Sequence, residues 1–177
     1  MQLQQLLEAM IAYMGGDARR IQHFIKVHAL AQLIGRQEQL NERTQFILEA
    51  AALTHDIGIK NGEAKFGAGK CSGKTQELEG PPAAAELLAK LGFAPDVCER
   101  VCYLIGHHHT YTNIDGMDYQ ILVEADFLVN FYEDGMSKEA IQTACGRIFK
   151  TASGIRLCRQ MFGILSLIHI SEPTRPY

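Results

Sequence analysis

A histidine and an aspartate stand side by side at His55-Asp56, where the apolar run of residues 46–53 gives way to Ile57-Gly58. Imidazole nitrogen and carboxylate oxygen together suit a hard or borderline divalent metal, and the pair brings a single negative charge. Two ligands do not hold an ion, so partners must come from core-facing positions elsewhere in the chain. The candidates are His23 and His28, the triplet His107-His108-His109, and Asp126. At about 100° per residue, Val27, Leu30, Ala31 and Ile34 fall within about 80° of His23, whereas His28 lies about 140° away. His23 is therefore the core-facing one, with Arg20 one turn earlier on the same face. The seam Val97, Val101, Leu104, Ile105 continues by three or four residues to His108, leaving His107 and His109 to face either a substrate or solvent. Leu122, Val123 and Val129 surround Asp126, and a carboxylate there is costly to bury unless it is paired or bound to a cation. Asn130, one turn on, could hydrogen-bond to Asp126 or to a bound water.

The elements that must position these groups are helices. No run of alternating or β-branched residues is long enough for a sheet, and nearly every segment carries helical periodicity. Leu3, Leu6, Leu7, Met10, Ile11 and Met14 form the stripe of a first helix stopped at Gly15-Gly16. Asp17 caps a second helix reaching about Gly35, and Asn41 caps the third, which ends in the His-Asp pair. Residues 57–80 hold six glycines and the lysines Lys60, Lys65, Lys70 and Lys74, and read as a long, flexible, basic excursion. Its lysines, Lys74 among them, either meet phosphate oxygens or are simply solvated. Ala68-Gly69-Lys70-Cys71-Ser72-Gly73-Lys74-Thr75 mimics a phosphate-binding loop, but the lead-in is not a strand and Pro81-Pro82 follows, so nucleotide triphosphate binding there is not expected. After the prolines, residues 83–91 form a short helix, and Pro95 opens the next.

The chain has 177 residues, 47% of them hydrophobic, enough for one sizeable core. A net charge of −3 and a pI near 6.2 exclude the general footprint of a nucleic-acid polymer or an anionic membrane as partner. Neither a signal peptide nor a membrane-spanning run is recognisable, and five scattered cysteines without a C-x-x-C pair read as reduced thiols, so a cytoplasmic location is expected. One domain is expected over residues 1–163. Residues 164–177 resemble a translated sequencing-adaptor tail and are set aside with His169 as non-native or disordered.

Arg20-x-x-His23-x-x-x-Val27-x-x-x-Ala31, His55-Asp56-Ile57-Gly58 and Glu124-Ala125-Asp126 together resemble the HD-domain superfamily of metal-dependent phosphohydrolases, over roughly residues 17–135. The resemblance implies an all-α bundle of about six to eight helices without a sheet, and a first metal (Mn, Fe, Co, Ni or Zn) held by His23, His55, Asp56 and Asp126. A second metal or a phosphate would fall to Glu79, His107, His108 or His109. Gly80 stands where such relatives carry an earlier histidine, which puts the second metal in doubt unless Glu79 substitutes. The implied reaction is hydrolysis of a small phosphorylated substrate, such as a nucleotide. Asp56, His108 and Lys60 would be catalytic, and Arg20, Lys74 and Asn130 would contact the substrate. A non-catalytic metal or nucleotide sensor and a di-iron oxygenase are the competing readings. Oligomeric state is not legible.

Overall fold

The computed structural model describes residues 1–164, and among these it contains nine helices and no strand. They are α1 (Gln2–Tyr13), α2 (Ala18–Gln37), α3 (Glu42–Thr54), α4 (Gly58–Phe66), α5 (Gly73–Lys90), α6 (Pro95–Ile105), α7 (Met117–Glu133), α8 (Lys138–Ile148) and α9 (Ala152–Phe162). No helix among the described residues is long and apolar enough to cross a membrane. The tail assigned to residues 164–177 lies outside the described residues, apart from Ile164.

Two helices are enclosed on nearly every side. In α3 every residue from Ile47 to Thr54 is buried, and in α7 all but one from Asp118 to Val129. A helix that is apolar all round must run through the core, and α2 and α6 pack against this pair. The four helices thus deliver to one place His23 from mid-α2, His55-Asp56 from the end of α3, His108 from just past α6, and Asp126 from mid-α7. Caps fix where two of them start. The Asp17 side chain accepts from Arg20 N at 3.1 Å and Asn41 from Thr44 N at 2.9 Å, satisfying orphan N–H groups of α2 and α3.

The excursion expected over residues 57–80 is instead α4, a short turn, and the first half of α5, which accounts for the extra helix. Only Gly67 and Gly69 there have positive φ, at 100° and 71°, and these make the turn. Three of the other four, Gly58, Gly62 and Gly73, allow close approach of neighbouring segments. A Cβ on Gly58 would stand 2.6 Å from Gly80 N and 2.7 Å from Gln76 O. One on Gly73 would stand 2.8 Å from the His109 ring, and one on Gly62 would run into the Cys71 sulfur. High glycine content here marks close packing, not flexibility.

The helix expected to begin at residue 83 begins ten residues earlier and runs through Pro81-Pro82. Ser72 caps it, accepting from Thr75 N at 3.2 Å. Proline in a helix interior costs about 3 kcal/mol, from a lost hydrogen bond and a steric clash. The residue before Pro81 is Gly80, whose missing Cβ relieves part of that clash. Packing against α4 on one side and α6 on the other holds the rest, with Cys102 Sγ donating to Pro81 O at 3.4 Å.

Candidate metal centre

Three imidazoles turn the same atom inward. His55 Nδ1 lies 2.9 Å from Ala52 O and His108 Nδ1 lies 2.7 Å from Ile105 O. A carbonyl only accepts, so in each ring Nδ1 carries the proton and donates it. His23 Nδ1 donates in the same way to Glu133 Oε2 at 3.0 Å. In the neutral rings each Nε2 keeps its lone pair; those of His23 and His55 meet at one spot, and that of His108 faces the other oxygen of Asp56. His23 Nε2 is 3.2 Å from His55 Nε2 and 3.1 Å from Asp126 Oδ1, and Asp56 Oδ2 is 3.6 Å from both His23 and His55 Nε2. Atoms bound at about 2.1 Å to one ion sit about 3.0–3.4 Å apart in octahedral or tetrahedral arrangement, so the two shorter spacings are those of a ligand shell and the Asp56 oxygen stands just outside it.

The donors present fit a divalent metal. Two lone pairs facing each other at 3.2 Å repel unless something positive lies between them. His108 Nε2 is buried with no hydrogen-bond partner, Asp56 Oδ1 lying 3.7 Å away. A buried polar atom left without a partner calls for an ion or a water. Asp56 faces both ways, with Oδ2 toward His23 and His55 and Oδ1 toward His108. Ligand-type atoms accordingly gather in two groups that share Asp56, one with His23 and His55, the other with His108 and His109.

Electrostatics follow from that crowding. Burial pushes the Asp56 carboxyl upward, but the His55 and His108 imidazoles outweigh it and bring the pKa down to about 2. Burial also opposes charge on His55, yet Asp56 and the hydrogen bond with Asp126 raise it to about 9. Asp126 is depressed far below the usual carboxylate range despite its burial, chiefly by hydrogen bonds with His23 and His55. Asn130 Nδ2 donates to Asp126 Oδ1 at 2.9 Å, as its spacing suggested. His109 moves the other way, to about 4, because burial and the neighbouring His108 disfavour its charge.

A cavity of about 460 Å³ opens beside this cluster, lined by Arg19, Arg20, His23, Asp56, Glu63, Gln76 and Glu133 among others. Arg20 reaches it already paired, with Glu63 at 2.7 and 3.0 Å and Asp17 at 2.8 Å. His23, His55, Asp56, Asp126, His108, Asn130, His109 and Arg20 are thus brought together.

Four expected residues are not. Lys60 points away, its Nζ donating to Tyr13 O at 2.7 Å and lying over the Tyr13 ring, because α4 turns it to the outer face. Lys74 is exposed in the first turn of α5. Glu79 is paired with Lys65 at 2.6 Å and not with any histidine. His107 donates Nδ1–H to Tyr103 O at 2.7 Å, packs on the Tyr103 ring and joins neither cluster of ligand-type atoms. The α5 residue that faces the site is Gln76, not residue 79 or 80, with Oε1 2.9 Å from His109 Nε2. Reading that segment as a loop hid it. Glu133 was also missed, although its place seven residues after Asp126 puts both on one face of α7. Glu124, part of the last motif, does structural work. It accepts from Lys150 N at 2.6 Å and Thr151 N at 3.0 Å, clamping the link between α8 and α9.

Fold and centre together define an all-helical protein with a buried histidine–aspartate cluster suited to a divalent ion. The family model for the HD domain matches residues 20–153, and the chain belongs to the HD domain family. Its structure is similar to the crystal structure of a predicted HD superfamily hydrolase from an uncultured Thermotogales bacterium. The two share 23% sequence identity and a TM-score of 0.65 over 90% of this chain and 84% of that one. No curated protein matches the chain.

Proposed function

We propose that the protein is a metal-dependent phosphohydrolase that cleaves a phosphate ester of a nucleotide or small phosphorylated metabolite. The observation that carries this reading is that His23 Nε2, His55 Nε2 and the carboxylates of Asp56 and Asp126 meet beside an open cavity, with His108 Nε2 buried, without a partner and 3.7 Å from the other oxygen of Asp56. His23, His55, Asp56 and Asp126 would hold one divalent ion of the Mn, Fe, Co, Ni or Zn type. When bound, such an ion lowers the pKa of a water and neutralises charge on a phosphoryl group.

The chain's own groups would do the rest. Asp56, ionised across the physiological range, would orient the attacking water through the oxygen it does not commit to the metal. His108 Nε2, with its lone pair free, would hold that water or a second ion toward Asp56. Arg20, kept in place by Asp17 and Glu63, would meet phosphate oxygens at the cavity wall. Lys60 and Lys74 have no part in this scheme.

Elemental analysis of the purified protein, followed by a phosphate-ester panel with and without Asp56→Ala, tests it. Stoichiometric metal and phosphate release that the substitution abolishes are expected. Release that survives Asp56→Ala would overturn the mechanism. Metal-loaded protein that binds phosphorylated ligands without turnover would favour a sensor.

A further inference from the structure

Of the three inward-facing histidines, two hand their Nδ1 protons to carbonyls of their own backbone turn. His23 alone hands it to a charged side chain from another helix. Glu133 ends α7, and its carboxylate is split between two donors: Oε2 takes His23 Nδ1–H at 3.0 Å and Oε1 takes the Lys26 ammonium. Lys26 sits on α2 three residues after His23 and is half exposed, whereas the Glu133 side chain is 13% exposed. Mid-helix His23 cannot use its own backbone carbonyls, which are occupied by the α2 ladder, whereas His55 and His108 stand at helix ends where carbonyls are free. An external acceptor is therefore required to fix that ring.

We infer that Glu133 is the positioning residue of the metal centre, holding the His23 ring so that Nε2 faces the ion, with Lys26 balancing its charge. This rests on the metal-binding reading above. A carboxylate behind a ligating imidazole fixes its tautomer and raises its basicity, and removing such a partner costs about 10–100-fold in metal affinity. Because Lys26 neutralises the carboxylate, Glu133 aligns the ring without adding net negative charge to a centre that already holds Asp56 and Asp126.

The test is Co²⁺ affinity, by competition with a chelator, for the wild-type chain, Glu133→Ala and Glu133→Gln, together with thermal melting of each protein without metal. Glu133→Ala should weaken Co²⁺ binding by about 10–100-fold, and Glu133→Gln should restore most of that loss, since its amide oxygen can still accept from Nδ1–H. A merely structural ion pair between α2 and α7 would lower the metal-free melting temperature and leave Co²⁺ affinity as it was, and that result would overturn the inference. If the wild-type chain takes up no Co²⁺, the metal reading itself fails. If the wild type binds and Glu133→Ala binds equally well, only the role of Glu133 falls.

Discussion

Helix α2 carries two histidines, each beside a glutamate, and they sit in regions of opposite character. His23 donates Nδ1–H to Glu133 and leaves Nε2 aimed at other ligand atoms. His28, toward the α1–α3 side, spends Nε2 on Glu49 Oε2 at 3.2 Å. Glu49, 4% exposed in α3, also accepts from Gln32 at 2.8 Å and Gln45 at 2.8 Å, so both its oxygens are used. Both clusters are buried, and both contain histidine and carboxylate. They differ in what remains unsatisfied. Around Glu49 each carboxylate oxygen meets a neutral donor and the buried atom left over is the Gln45 amide oxygen, whereas around Asp56 two carboxylates and three imidazoles crowd together and the atom left over is His108 Nε2. What sets the Asp56 cluster apart is two carboxylates held well below the usual range among three imidazoles, where Glu49 is the one carboxylate among two amides and an imidazole.

The largest expected effect would break this contrast at the metal side. His55→Ala removes a fully buried ligand and should lower metal affinity by more than about 100-fold, beyond the loss for an outer partner. Equilibrium dialysis against Co²⁺ measures it, and a retained stoichiometric ion would refute the assigned ligand set.

A smaller effect separates the clusters by the sign of their pH response. The folded-state pKa of His55 is raised from 6.5 to about 9, so its contribution to metal-free stability is complete below pH 6.5 and lost as pH rises through 9. Asp56, lowered from 3.8 to about 2, contributes above 3.8 and loses that contribution as pH falls through 2. His28 is shifted down from 6.5, by burial against the pull of Glu49. Its unfolded state therefore binds protons first, and the stability tied to it falls as pH drops below 6.5. Metal binding requires the unprotonated Nε2 of His55, so the gap in melting temperature between Co²⁺-loaded and metal-free protein should widen from pH 6 toward 9. A gap that stays flat or narrows over that range would contradict the assignment of His55.

The smallest effect sharpens the comparison from the other side. Glu49→Gln places an amide among amide donors and should cost about 1–3 kcal/mol of stability in denaturant unfolding. Co²⁺ affinity should stay unchanged. A loss of metal on that substitution would mean that the two regions are one coupled site.

How far these features could be read from the sequence depended on what set them. The angular separation of His23 from His28, the burial of Asp126 among Leu122, Val123 and Val129, and the caps Asp17 and Asn41 are local consequences of helical periodicity. All of them stand in the structure. Residues 57–80 could not be read that way, because Gly58, Gly62 and Gly73 are explained only by what lies across from them in space. The same blindness left Lys60 and Lys74 with roles drawn from composition and family resemblance, when both are exposed on the outer faces of their helices. It also hid Gln76, whose orientation follows from α5 being continuous through two prolines. His107 and His109 were left undecided, and packing separated them, Tyr103 taking one and Gln76 the other.

The crossing of α4 over α5 is asymmetric. A methyl group on Gly80 would find ordinary clearance, its nearest neighbour being Ile105 Cδ1 at 3.7 Å, but the same methyl on Gly58 would meet backbone. Position 58 therefore acts as a shim behind the cavity beside the histidine–aspartate cluster. Thickening it by one carbon would press on the Gln76 carbonyl, pry α5 outward and carry Gln76 away from His109, enlarging the mouth of the pocket without altering any side chain that lines it.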